Sequence, residues 1–185
     1  MKTTSVNPYA GYGIPVQGER LVGRQQKIKR LKERVYDVSS SVNVVGQPRI
    51  GKTSVVCETL EEVRRMPDFD TSKKLILALS VSIFEDSQSL WSGLLEELAC
   101  EARSRVPNLV DLLGSEIERS RESSYQAYRA FRRALRALNA QSFATILALD
   151  EFDAIRRFGD SFVVTQRLRE LVTSVNALGL SIIFV

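Results

Sequence analysis

The chain has 185 residues, 44% of them hydrophobic, which suits one domain with a proper buried core. Two cysteines and a complete lack of histidine exclude Cys/His zinc sites and any histidine-based catalytic triad. A net charge of +4 is too mild to require a polyanionic partner; with no signal-peptide core and no apolar run of membrane-spanning length, a soluble cytoplasmic protein is expected.

Residues 1–23 contain Pro8, Gly11, Gly13, Pro15 and Gly18, a composition that predicts an extended arm. A helix from about Arg24 to Val38 follows, with Ile28, Leu31 and Val35 at helical spacing. Arg24, Lys27, Lys29, Arg30, Lys32 and Arg34 crowd it with positive charge. A solvated helix face is the commoner reading of such a run, and contact with nucleic acid or an acidic partner stays open. The β-branched stretch 41–45 then predicts a short buried strand.

Directly after it, Gly46-Gln47-Pro48-Arg49-Ile50-Gly51-Lys52-Thr53 forms a complete G-x-x-x-x-G-K-[ST] phosphate-binding loop, followed by Ser54 and a helix predicted over Lys52–Arg65. Strand, loop and helix in that order are the context in which the motif has a mechanism. Main-chain amides of the loop converge on phosphate, and the opening helix adds its positive end. Lys52 is placed to reach the β- and γ-phosphates and the Thr53 hydroxyl to ligate Mg²⁺, which makes the loop a nucleotide site.

Pro67-Asp68-Phe69-Asp70 breaks that helix. A strand is predicted over Leu75–Ser82, turning polar at Ser80 and Ser82, then a helix over Ser87–Arg105 with Trp91 as a core anchor. Cys57 and Cys100 read as buried thiols of two helices. Residues 107–122 read as a short helical or looped connection. A helix over Ser124–Leu138 carries Tyr128, Phe131, Leu135 and Leu138 as a core stripe, and Arg129, Arg132, Arg133 and Arg136 as a second basic cluster.

The run Thr145-Ile146-Leu147-Ala148-Leu149-Asp150-Glu151 reads as a buried parallel strand, predicted over Phe143–Leu149, with carboxylates at its C-terminal edge. Ligands of open α/β sheets bind at that edge. Asp150 is expected to hold Mg²⁺, and Glu151 to polarise the water attacking a γ-phosphate. Asp153 reads as the cap of the next segment. A helix over Ser161–Leu178, burying Phe162, Leu168, Leu171, Val172 and Val175, stops at Gly179. Leu180–Val185 begins another apolar strand. Because that strand reads as an inner one, the chain is expected to be the N-terminal portion of a longer protein.

Three stretches together resemble the AAA-like P-loop ATPases of the STAND class and their archaeal-type relatives: the Asn7-Pro8 arm through Val16, the Leu21-Val22-Gly23-Arg24-Gln25 box, and the phosphate loop paired with Leu149-Asp150-Glu151-Phe152-Asp153. The resemblance implies a three-layer α/β P-loop sandwich of the additional-strand type. In it, the acidic-pair strand and the final strand separate the first strand from its sequence neighbour. Residues 1–23 form the arm and 24–185 the ATPase core, ending before the last strand and helical lid. The resemblance also implies Val22, Gly23 and Arg24 beside the adenine, hence ATP rather than GTP; no Asn-Lys-x-Asp guanine-reading motif is present. The family's polar sensor and arginine finger find no counterpart, Arg156 and Arg157 reading as surface residues.

The leading reading is an ATP-binding, Mg²⁺-dependent switch module that relays hydrolysis to other domains of a full-length chain or to a homo-oligomer. A DNA-associated loader or transposition-type ATPase is the alternative from another class, motivated by the two basic helices. A nucleotide-binding scaffold without hydrolysis stays open. A small-molecule kinase lacks an identifiable lid and acceptor pocket.

Overall fold

Aliphatic runs become four strands, β1 (Val42–Asn43), β2 (Lys74–Ser80), β3 (Ala144–Asp150) and β4 (Leu180–Phe184). The computed structural model describes residues 21, 23–36, 40–69 and 71–185; the arm expected over 1–23, Val22 included, lies outside the described residues except at Leu21 and Gly23. The strands form a single parallel sheet in the order β1-β4-β3-β2. The acidic-pair strand and the final strand therefore stand between the first strand and its sequence neighbour. Parallel neighbours need crossovers, and each is supplied by helices.

Alternation along the strands sorts side chains to two faces. Ile76, Ile146, Ala148 and Ile183 point to one face, covered by α1 (Gln25–Tyr36) and α2 (Lys52–Arg64) through Ile28, Leu31, Val35, Val55, Val56, Leu60 and Val63. Leu75, Leu77, Leu147, Leu149, Leu180 and Ile182 point to the other. That face is covered by α3 (Ser87–Ala102), α4 (Val110–Ser120), α5 (Ser124–Ala140), α6 (Ser161–Thr173) and α7 (Val175–Leu178). Trp91 of α3 is fully buried there, edge-on to Tyr128 at 5.0 Å, beside Phe131. Burying each leucine or phenylalanine of this core contributes about 1.5–3 kcal/mol. This larger core holds the sheet rigid beneath its C-terminal edge.

Residues 107–122, read as a short helical or looped connection, are helical over most of their length. A 3₁₀ turn at Pro107–Leu109 leads into α4. The buried stripe of α4, Leu113, Glu116 and Ser120, has only one aliphatic member, so hydropathy conceals it. Glu116 accepts from Arg133 Nε at 2.8 Å and Nη2 at 2.6 Å, and from Arg119 at 2.9 Å. Arg133 thus leaves the basic cluster to become a strut between α4 and α5.

Several expectations are corrected by geometry. The first strand is only Val42–Asn43, and Val45 is 89% exposed because the chain has left the sheet to enter the loop. The Ser161–Leu178 helix breaks at Ser174 into α6 and α7. Phe162 is exposed rather than buried: α6 buries Val164, Leu168 and Leu171, and a residue two positions from Val164 sits about 200° around the helix. The same arithmetic places Cys100, two positions past Leu98, at the surface. Val172 and Val175 are half-buried. Asp153 caps nothing; it lies inside a 3₁₀ turn, Phe152–Arg157, and faces Arg156 at 3.6 Å.

Candidate functional site at the C-terminal edge of the sheet

The loop between β1 and α2 is shaped by two left-handed residues, Arg49 (φ 63°) and Gly51 (φ 85°). Gly51 stands at the N-cap of α2 and offers no side chain to cap it, so the first amides of the helix stay turned toward the loop. A Cβ on Gly46 would press to 3.1 Å against the Ile50 side chain. Lys52 arches back over the loop, its ammonium donating to the carbonyls of Gly46 at 3.0 Å and Gln47 at 3.2 Å. Gln47, Pro48 and Arg49 form the exposed crown, while Ser54 is buried on the first turn of α2. The result is a cradle of backbone donors with one cation across its mouth.

Arg24 joins this loop from the start of α1, donating from Nη2 to the Ile50 carbonyl at 3.0 Å. Gly23 precedes it in a left-handed turn (φ 75°). A cavity of about 370 Å³ lies between α1, β1 and the loop, with Arg24, Ile50, Gly51, Lys52 and Val55 among its walls. Lys27, Arg30 and Arg34 line the same cavity. Four of the six residues of the early basic cluster therefore line the cavity beside the loop, an adjacency that helical spacing alone does not disclose.

At the other side, register places Asp150 level with Ser80 across the β2–β3 pair. Thr53, Cys57, Ser80 and Asp150 line one cavity of about 140 Å³, so the loop threonine and the strand aspartate come together. Cys57 reports the same neighbourhood: burial pushes its thiol pKa up, and the nearby Asp150 charge pushes it further. Asp150 Oδ1 accepts the Glu151 amide at 2.9 Å.

Glu151 is held in the left-handed region (φ 50°, ψ 42°), a conformation that disfavours side chains other than glycine. Its carboxylate accepts from the hydroxyl of Ser80 at 2.7 Å and from the hydroxyl of Ser82. These bonds, Ser82 first, hold its pKa below the ordinary value; the Arg157 charge adds to the effect. Arg157 itself donates to the Ser82 carbonyl at 3.3 Å, and Arg156 and Arg157 are both exposed. Ser80 and Ser82 have no motif of their own. Their signal is the polar end of an apolar strand, which becomes informative once register sets it beside the acidic pair.

Among the described residues, no cluster of three or more metal-ligating side chains occurs, and no helix is long and apolar enough to cross a membrane. No family model and no curated protein sequence matches the chain. A solved structure does: the Orc1 protein of Aeropyrum pernix in complex with DNA, with a TM-score of 0.63 at 16% identity. The superposition covers 88% of this chain, which spans 38% of the length of that one. The shared architecture is the parallel α/β fold of P-loop ATPases.

Proposed function

We propose that the protein is an ATP-binding module whose C-terminal sheet edge binds MgATP and hydrolyses it through Glu151. The observation that carries this reading is the convergence of the phosphate loop and the acidic strand: Thr53 and Asp150 wall the same cavity, and Lys52 closes the adjoining cradle. In this reading Gly46–Ser54 wraps the phosphates, Lys52 exchanges its carbonyl partners for phosphate oxygens, and the basic cavity walled by Arg24, which follows Gly23, receives the rest of the nucleotide. Thr53 and Asp150 supply two hard oxygen donors. Mg²⁺ favours such a site, taking one or two protein oxygens and completing its shell with phosphate and water. Glu151, one residue beyond Asp150 at the sheet edge, is the proton acceptor for the attacking water.

The finer reading is a switch of the STAND kind, passing the nucleotide state to other domains or copies. It is supported by the Gly23-Arg24 box packed onto the phosphate loop and by the Asp150-Glu151-Phe152-Asp153 sequence. The test is a pair of substitutions read by calorimetric titration of MgATP and by phosphate release. Lys52→Ala should weaken binding on the order of 100-fold, given about 1.5–3 kcal/mol for a charge-assisted bond. Glu151→Gln should bind as wild type and release no phosphate above background. Equal affinity in wild type and Lys52→Ala sinks the proposal.

A second reading, association with nucleic acid, has its own observation in the arginines of α5. The structural neighbour that was solved with DNA gives it further support.

A further inference from the structure

Three of the four arginines in the second basic cluster are gathered, with one from α6, into a feature the phosphate site does not use. A groove of about 540 Å³ runs between α5 and α6, lined by Tyr125, Tyr128, Arg129, Arg132, Arg136 and Arg167, with Glu170 on one wall. It lies in the helical layer on the opposite face of the sheet from α1 and α2. We propose that this groove binds single-stranded nucleic acid, an inference that rests on the second reading above and gives it a site.

The charge in the groove is unbalanced. Glu170 already accepts the Tyr128 hydroxyl at 2.7 Å and faces Arg132 at 3.7 Å. Among the described residues, Arg129, Arg136 and Arg167 form no ion pair. Among the described residues, none accepts from the buried Arg132 Nε. Arg129, Arg132 and Arg136 follow one face of α5 at i, i+3 and i+7, a stripe about 10 Å long on which successive phosphates of a strand can rest.

Rings decide among polyanions. Arg129 lies 5.5 Å from the centre of the Tyr125 ring, and Arg167 5.9 Å from Tyr125 and 5.2 Å from Tyr128. Tyr125 is nevertheless 54% exposed. Arginine planes and tyrosine rings in one groove offer stacking surfaces for unpaired bases, whose faces are free in a single strand and covered in a duplex. An acidic polypeptide would satisfy the charges and leave the exposed ring with nothing to stack on.

The experiment is an anisotropy titration of the full chain with a fluorescein-labelled oligo-dT of roughly 20 nucleotides, long enough to cover any such groove. It is run at about 50 mM salt and again at about 200 mM, where phosphate contacts weaken steeply. Tyr125→Ala and Tyr125→Leu should each weaken binding roughly tenfold, the second keeping apolar bulk while removing the ring. The pair Arg129→Ala with Arg136→Ala should lower the salt slope by about 1.4, two single-strand phosphate contacts at about 0.7 each. All four substitutions fall on half-exposed or exposed side chains, and circular dichroism verifies the fold. A control pair on α1 outside the nucleotide cavity, Lys29→Ala with Lys32→Ala, should leave affinity unchanged.

Binding that ignores the groove variants and falls with the α1 pair overturns the inference while keeping the second reading. No binding at the lower salt removes both. Tighter binding of a duplex of equal length, or displacement by poly-glutamate at equal charge, overturns the single-strand assignment in favour of that partner. Because Lys52→Ala should retain oligonucleotide affinity, failure here is separable from failure of the nucleotide site.

Discussion

At the scale of single residues, Glu151 shows most clearly what local context adds to a motif. An acidic residue one step beyond a strand was legible at the sheet edge, where we propose it acts as a general base. Its serine partners were not, because hydrogen bonding between positions 80, 82 and 151 depends on strand register. Those bonds favour the carboxylate, so the group binds its proton more weakly in the folded protein than in the unfolded chain. The stabilisation is present above the usual carboxylate pKa of 4.5 and is lost as pH falls through the lower folded value. Since Glu151 is exposed, its contribution to stability is small and the titration itself is the useful readout. In Ser80→Ala/Ser82→Ala, the Glu151 midpoint followed by carboxylate ¹³C shifts should rise toward 4.5. A midpoint unchanged from wild type would show that the hydroxyls do not set it. Cys100 teaches the complementary lesson: residue type suggested burial, and position around α3 decided otherwise.

Elements were legible in proportion to their periodicity. α3 and α5 carry aliphatic and aromatic stripes and were readable; α4 buries a glutamate and a serine in its stripe, which keeps its sequence open between helix and loop. The Glu116 carboxylate is 5% exposed and bridges Arg133 and Arg119, so Glu116→Ala leaves two guanidinium groups without their acceptor. Both arginines are partly solvated, which moderates the several kcal/mol expected for breaking a fully buried pair to about 2 kcal/mol. Urea denaturation should show that loss with an unchanged slope; a change within ~0.5 kcal/mol would reduce the strut to a surface pair. Gly179, foreseen as a helix stop, does more than stop α7. At φ 57°, a Cβ there would come within 2.6 Å of Asn139 Oδ1 and 3.1 Å of the Phe143 carbonyl. Gly179→Ala should therefore cost about 1–2 kcal/mol from the left-handed backbone alone, and more from crowding, read as a fall in Tm. An unaltered Tm would mean the turn relaxes freely.

For the whole molecule, the consequence of the proposed site is linkage between nucleotide and fold. A ligand bound across β1, α2 and β3 stabilises all three together, and at one hundred times its dissociation constant adds about 2.7 kcal/mol. MgATP should thus raise the Tm of the wild type by several degrees and that of Lys52→Ala, at about 0.4 kcal/mol, by only about one degree. A shift of equal size in both would place the nucleotide elsewhere. The alternation of strands and helices, the phosphate-loop motif, the acidic edge and the core stripes of α3 and α5 were readable from the chain alone. Each is a local pattern in which neighbouring residues specify their own backbone and buried face. Bringing Thr53 to Asp150, turning Lys27, Arg30 and Arg34 toward the loop, diverting Arg133 to Glu116 and assembling the tyrosine–arginine groove were decided only in three dimensions. Those meetings join residues distant in sequence, and their partners are chosen by strand order, register and helix rotation, which no short window of sequence encodes.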